Sequence, residues 1–565
     1  MNRAFFQNLP VVRPKASADE IWLRLIQAFA LLFLALALAL PLVSLLLRAF
    51  EDQQGGFVGL RNFAIYVTTP SLVRSAWNSL WTALVTTCVV IPLAFAYAYG
   101  LTRSCMAGKW LFRAVMLLPI LAPSLLPALS LIYLFGNQGM LRGLMAGGSI
   151  YGPWGIIGAQ IFYCFPAAAI IISVALSTAD GRLYEAAEAL KASRIRIFLT
   201  VTLPGAMYGL VSASVVVFTL VVTDFGIPKV IGGQFNVLAT DVYKQVVGRQ
   251  DLNMGAVVGL VLLIPAVLAF VLDRWAHNKR SATLTGRAVA YRPKPRRGRD
   301  IPAFLFCLLV AIAMLGIVAV SVWGSFIRFW PYNLTLTLDN YDFTRFDTAG
   351  WQAVWLSVKI SLITAFVGTA LIFIIAYSLE RGPARSLFAT PLRFLATIPL
   401  AVPGLVLGLA FIIFFNHPAN PLGIIYGTLM ILVLNSIIHF YTVGHLTAVT
   451  AIRQLDPEFE AVSASLHVPI WQTFGRVTLP ICLPAILEIL VFLFVSAMTT
   501  VSAVIFLYGP DTKPASVSVV HMDEAGQASA AAAMACVILA ISLTAKLTEL
   551  TVGGLIGRFT SAWRR

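Results

Sequence analysis

The sequence predicts an all-α membrane protein of about twelve spanning helices, arranged as two parallel six-helix repeats. Composition is the first reason. Of 565 residues, 59% are hydrophobic and only 11% charged, whereas soluble domains carry about 25% charged residues. Spacing is the second, because apolar runs long enough to cross a bilayer fall at 21–47, 79–101, 112–135, 152–177, 205–228 and 254–272. They resume at 302–327, 352–378, 391–415, 421–444, 481–507 and 528–545. Internal repetition is the third. Ala98-Tyr99-Gly100-Leu101-Thr102-Arg103 matches Ala376-Tyr377-Ser378-Leu379-Glu380-Arg381, Leu118-Pro119 with Pro123 matches Ile398-Pro399 with Pro403, and Val-Thr-Leu-Pro recurs at 201–204 and 477–480. Six spans per half is an even number, so both halves enter the bilayer in the same direction, unlike inverted-repeat transporters.

The first run includes Ala35-Leu36-Ala37, which resembles a signal cleavage site. Its apolar stretch exceeds the h-region of a signal peptide, so a retained span is expected. Arg103, Lys109 and Arg113 follow span two, and Arg182, Lys191, Arg194 and Arg196 follow span four. The most basic stretch, with Lys294-Pro295-Arg296-Arg297, follows span six. By the positive-inside rule these loops and both termini face the cytoplasm. The net charge of +16 thus reports orientation, and no nucleic-acid partner is expected. The expected layout is an N-terminal arm 1–20, a first repeat 21–272, a basic Pro- and Gly-rich linker 273–300, a second repeat 301–550 and a cytoplasmic tail 551–565. The six cysteines are scattered without paired spacing, so neither a disulfide framework nor a metal site is expected.

Two polar segments interrupt the apolar pattern at equivalent places, 179–204 and 455–480. Each mixes an apolar face (Leu183, Ala186, Ala187 and Leu190 in the first; Phe459, Val462 and Leu466 in the second) with charges such as Glu185, Glu188, Glu458 and Glu460. A short amphipathic helix of this kind docks into a groove of a soluble partner or lies on the headgroups. Its occurrence in both halves favours docking. No phosphate-cradling G-x-x-x-x-G-K-[ST] loop occurs, so nothing on this chain is expected to cradle ATP phosphates and the chain is not expected to be an ATPase itself.

Glu185-Ala186-Ala187, Leu190 and Val201-Thr202-Leu203-Pro204 together resemble the EAA loop of permeases in type I binding-protein-dependent ABC importers. In that family the loop forms the coupling helix seated in the ATP-hydrolysing subunit. The resemblance implies ATPase-coupling roles for Glu185, Ala186, Ala187, Leu190 and Pro204, and for Glu460, Ala461, Leu466 and Pro480 in the second copy. Counted back from Pro480, Ala461 stands where the Glu is expected and Glu460 lies one place early; Lys191 and His467 stand where the family has Gly. The family also implies two cytoplasmic ATPase subunits using ATP and Mg, a periplasmic binding protein, a bacterial inner-membrane location and no cofactor on this chain. The stretches 401–409, 439–445 and 498–504 look like fused permeases assigned to 2-aminoethylphosphonate uptake, with fused ferric-iron permeases next. The rival class is an ion-coupled secondary transporter, which would work without an ATPase.

Candidate pathway residues are polar groups inside apolar runs, where burial is costly. Asp224 near the end of span five is one; it meets a substrate ammonium, caps a helix end or contacts a gate. Thr500 is its repeat equivalent, beside Thr499. Asn435 and His439 share a helical face one turn apart, where they line the pathway or bond another helix. Glu488 is expected as an interfacial or paired group and Lys359 as a snorkelling cation. Pro119, Pro123, Pro127, Pro399 and Pro403 bend or shape spans three and nine.

Overall fold

A computed structural model describes residues 18–560, apart from 282–288, 290, 292, 384–385 and 457. Most of the expected N-terminal arm, much of the linker and the last residues of the tail therefore lie outside the described residues. Among the described residues, nine helices are long and apolar enough to cross a membrane, and three bent pairs raise the number of spans to as many as twelve. Among the described residues the named strands form one small antiparallel hairpin, Ile327–Phe329 with Asn333–Leu336, and short helices make up the other regular elements.

The three bends mark where apolar content overstated continuity. Lys109–Leu121 meets Leu125–Phe135 at 99°, Ala389–Ala401 meets Gly404–Phe415 at 115°, and Ile470–Ile481 meets Leu483–Thr499 at 75°. Pro123 and Pro403 stand in the first two breaks, each removing a backbone donor and pushing the preceding residue out of the helical region. Spans three and nine are thus two crossed half-helices each, not straight rods.

Spans five and eleven were expected to run to 228 and 507, yet the helices end at Thr223 and Thr499. Asp224 and Thr500 follow with extended ψ of 130° and 135°. The next apolar residues, from Val501 to Leu507, are mostly buried without forming a helix. They are apolar because protein surrounds them, which lets irregular backbone exist at that depth.

Packing exchanges one helix between the repeats. The first span, Ala18–Arg48, lies against helices of the second repeat: Gly350–Arg381, the helix beginning at Ala389, and Gly404–Phe415. Gln27 donates across this contact to the carbonyl of Ser378 at 2.7 Å. Reciprocally Arg297–Ser325 lies against Pro70–Arg103, Lys109–Leu121 and Leu125–Phe135 of the first repeat. There Ser130 Oγ meets Ser321 Oγ at 2.6 Å, and Gly324 leaves room for the Tyr133 ring. Small and hydroxyl side chains at these crossings are what membrane helix contacts favour. Within each half, Pro153–Ser177 packs on Pro70–Arg103 and Arg194–Thr223, and Gly350–Arg381 on Leu429–Arg453 and Leu483–Thr499.

Candidate functional site: paired loop helices and the cavity between the halves

Both polar segments fold into a short helix, a reversal and a second helix that enters the next span. Asp180 caps Gly181–Ala189, its Oδ1 accepting from Arg182 N at 3.0 Å. Asp456 likewise accepts from Glu458 N at 3.0 Å ahead of Glu458–Ser465. These carboxylates satisfy backbone donors that a helix start leaves open. The first helix ends with Lys191 N donating to Glu188 O at 2.9 Å and Ala192 N to Ala187 O at 3.0 Å. That pair of bonds is a Schellman cap, which requires a left-handed residue between helix and exit. Lys191 supplies it with φ of 52°, and His467 does so in the second copy with φ of 54°. Val468 N donates to Ser463 O at 3.0 Å there, the equivalent long bond. The position is therefore a backbone requirement for a left-handed residue, met in both halves by a side-chain-bearing residue at some steric cost.

Each reversal leads through a π turn, Phe198–Thr202 and Phe474–Thr478, into the segment carrying Pro204 and Pro480. A proline cannot donate to the preceding turn, and the wider turn accommodates it. Thr202 and Thr478 are buried, and Tyr184 Oη donates to Thr202 Oγ1 at 3.1 Å.

Glu185, Ala186, Leu190 and Pro204 are exposed on the first loop and Ala187 is half-buried. Ala461, Leu466 and Pro480 are exposed on the second. Leu190 is 83% and Leu466 68% exposed, and Leu183 with Phe459 and Ile195 with Trp471 repeat the pattern. Each loop therefore presents matched apolar side chains that none of the described residues covers. Trp471 was missed in the sequence because it lies past the helix, where no period points to it.

Glu460 does not take the place of Glu185. It is half-buried and points inward, with Oε1 2.9 Å from Arg381 Nε. Burial pushes its carboxyl above the usual range while Arg381 pulls it down. Its counterpart is Tyr184, which covers Arg103 in the first half with the guanidinium carbon 4.7 Å from the ring centre. The outward position belongs to Ala461.

Between the halves lies a cavity of about 420 Å³ whose wall includes Asp224, His439, Thr499 and Thr500. Asp224 both lines it and, one residue ahead of the Phe225 cap position, accepts from Ile227 N at 3.2 Å in the first turn of the short helix Gly226–Ile231. Asn435 lies off the wall: its Nδ2 donates to Ala503 O at 2.7 Å, holding the irregular segment behind Thr500. Asp273, which the sequence placed in the linker, is in the wall and accepts from Ser212 at 2.6 Å. Gly404 is required where it stands, since a Cβ would come 2.8 Å from Ser502 Oγ and 3.0 Å from His439 Nε2. No Lys or Arg is among the described residues that line the cavity. Nor do the described residues bring three His, Cys, Asp or Glu side chains together as a metal site.

Comparison with known proteins agrees with this duplicated plan. Residues 91–281 and 368–549 each match the family described as binding-protein-dependent transport system inner membrane component. The chain is 30% identical over 468 residues to a putative ferric transport system permease protein, FbpB 1, of Haemophilus influenzae, covering 79% of this chain and 72% of that one. It is 29% identical to the ferric transport system permease protein FbpB of Actinobacillus pleuropneumoniae, covering 84% and 70%. The spermidine/putrescine transport system permease protein PotC of Escherichia coli is 26% identical, covering 41% of this chain but 87% of its own, as expected when one repeat matches a single permease. A twice-matched family model and a duplicated helical fold lead to one conclusion: the chain belongs to the binding-protein-dependent transport system inner membrane components, as a fused, multi-pass ABC importer permease.

Proposed function

We propose that this chain carries ferric ion across the inner membrane, with ATP hydrolysed by two separate subunits seated on the exposed loop helices and cargo delivered by a periplasmic binding protein. The observation that carries the cargo assignment is the cavity wall. It offers Asp224, Asp273, His439 and several hydroxyls and, among its described residues, no cationic side chain. Hard cations prefer oxygen ligands such as these carboxylates and hydroxyls. A passage must also release what it admits, and scattered single oxygens suit transit better than a closed ligand set. The ferric transport permeases similar to this chain support the same cargo.

Under this reading both loop helices and the termini face the cytoplasm, which the basic loops favour. The outward side chains Glu185, Leu190, Leu466 and Trp471 then face the ATPases, whose ATP and Mg this chain does not bind. A second reading, uptake of 2-aminoethylphosphonate, is favoured by the hydroxyls of Thr499, Thr500, Ser496 and Ser502 in the wall, which can donate to phosphonate oxygens while Asp224 receives the ammonium. The test is uptake into vesicles holding the reconstituted permease, ATPase and binding protein. ATP-dependent entry of ferric iron, lost in Asp224→Asn, supports the first reading; entry of the aminophosphonate alone overturns it in favour of the second.

A further inference from the structure

Arg103 and Arg381 close the spans that precede the first two bent helix pairs, at the end of the repeated Ala-Tyr motif. Both guanidinium groups are withdrawn from solvent, Arg103 being buried and the Arg381 side chain largely so. Each spends one edge on the carbonyls that end the next long span. Arg103 Nη2 donates to Leu176 O at 2.7 Å, and Arg381 Nη2 donates to Ile452 O at 2.9 Å and Leu455 O at 3.3 Å. Cations are favoured there because helix C-termini leave carbonyls open.

The other side of each guanidinium meets the loop helix, at the residue immediately before the Glu185 or Ala461 position. In the first half that residue is Tyr184, and Arg103 sits 4.7 Å from its ring centre and 4.6 Å from that of Tyr291 in the linker. Tyr184 and Tyr291 themselves lie 4.5 Å apart, and the linker is held against the helix start by Gly181 N donating to Val289 O at 2.7 Å. In the second half the residue is Glu460, paired to Arg381 at 2.9 Å. The same three-way join is thus built twice with different chemistry, a cation–π contact and an ion pair. That is the pattern expected when geometry, rather than a particular residue, is what must be kept.

The joined spans also wall the cavity: Pro153–Ser177 through Tyr163 and Ala167, and Leu429–Arg453 through His439, Phe440 and Val443. We propose that Arg103 and Arg381 are the positioning residues that tie each loop helix to the cavity-lining spans, with Tyr184 and Glu460 as their interchangeable partners. Movement imposed on the exposed face of a loop helix then reaches the cavity wall through one buried guanidinium in each half. The proposal rests on the reading of this chain as an ATPase-driven permease.

The experiment measures cargo taken up per ATP hydrolysed in reconstituted vesicles, using ferric iron and 2-aminoethylphosphonate as probes and scoring the one the unmodified complex transports. Co-purification of the ATPase is measured alongside. Tyr184→Ala and Glu460→Ala should retain the ATPase but lower uptake per ATP at least about five-fold, the lower range of a typical coupling energy. Exchanging the solutions, with Tyr184→Glu in the first half and Glu460→Tyr in the second, should restore the ratio to within about two-fold of the starting complex, well inside that range. Alanine variants with an unchanged ratio overturn the proposal. So do exchanged variants as defective as alanine, since the residues would then act only as local packing. If the unmodified chain neither retains an ATPase nor shows ATP-dependent uptake, the permease reading itself fails, separately from this inference.

Discussion

Valine at position 191 or 467 probes the left-handed turn that both loops share. Lys191 and His467 hold φ of 52° and 54°, a region that costs an L-residue about 1–2 kcal/mol. An unbranched side chain tolerates it better than one branched at Cβ. Lys191→Val and His467→Val should add a further ~1–2 kcal/mol to holding the turn, a factor of roughly 5–30 in the local opening equilibrium. Lys191→Gly and His467→Gly remove the steric cost but return about 0.5–1 kcal/mol of backbone entropy, so those variants should stay within about five-fold. The readout is hydrogen exchange, corrected for intrinsic rates, at the amides that close the caps. Ala192 bonds Ala187 and Val468 bonds Ser463, each at 3.0 Å. Exchange in the valine variants at the original rate would refute the reasoning, because the turn would then not be left-handed and closed in solution.

Lys229 and Glu524 pair between the first repeat and the helix Ala515–Glu524 of the second, with Lys229 Nζ also 4.5 Å from the centre of the Tyr243 ring. Glu524→Gln should raise ATP turnover in the absence of binding protein by less than about five-fold, because a partly exposed pair is worth at most ~1 kcal/mol; a steady-state ATPase assay checks this. Gly209 lies where a Cβ would collide with that of Ala175 on the neighbouring span, so Gly209→Leu should cost about 1–3 kcal/mol and lower the thermal midpoint of the purified protein. Burial, with Glu524 alongside, pushes Asp523 up to about 6 from 3.8. The fold then holds a proton that the unfolded chain has released, so this contribution to stability is lost as pH rises from about 4 to about 6 and is flat above. The loss is on the order of 2–3 kcal/mol, and denaturation at a series of pH values should show it vanish in Asp523→Asn.

The loops were legible before the structure because their signal is local. The charges Glu185 and Glu458, the apolar faces of Leu183 and Phe459, and the Val-Thr-Leu-Pro exits all lie within one short segment in each half. The displaced Glu460 was visible too, as an offset of one position. Its role was not, since the partner that turns it inward is Arg381, far away in the chain. Asp224 and His439 stood out as polar groups in apolar runs and both line the cavity, while Asn435 carried the same signal and serves the Ala503 carbonyl instead. One side chain's polarity cannot distinguish facing a cavity from bonding a neighbouring helix, because the bilayer penalises both alternatives equally when unsatisfied.

By itself the sequence determined the solvent and the duplication, and it set the upper bound of twelve spans. These follow from hydrophobicity and chain length, which act residue by residue. Only the tertiary structure decided that the first span of each repeat also packs against helices of the other half. It alone set the angles of 99° and 115° at the proline breaks of spans three and nine, and it alone brought Arg103 to Tyr184 and Arg381 to Glu460. In lipid every apolar helix face is equally at home, so periodicity says which face is apolar but not which neighbour it meets. That choice is made by close packing of small residues and by a few buried polar contacts, and both depend on positions far apart in the chain.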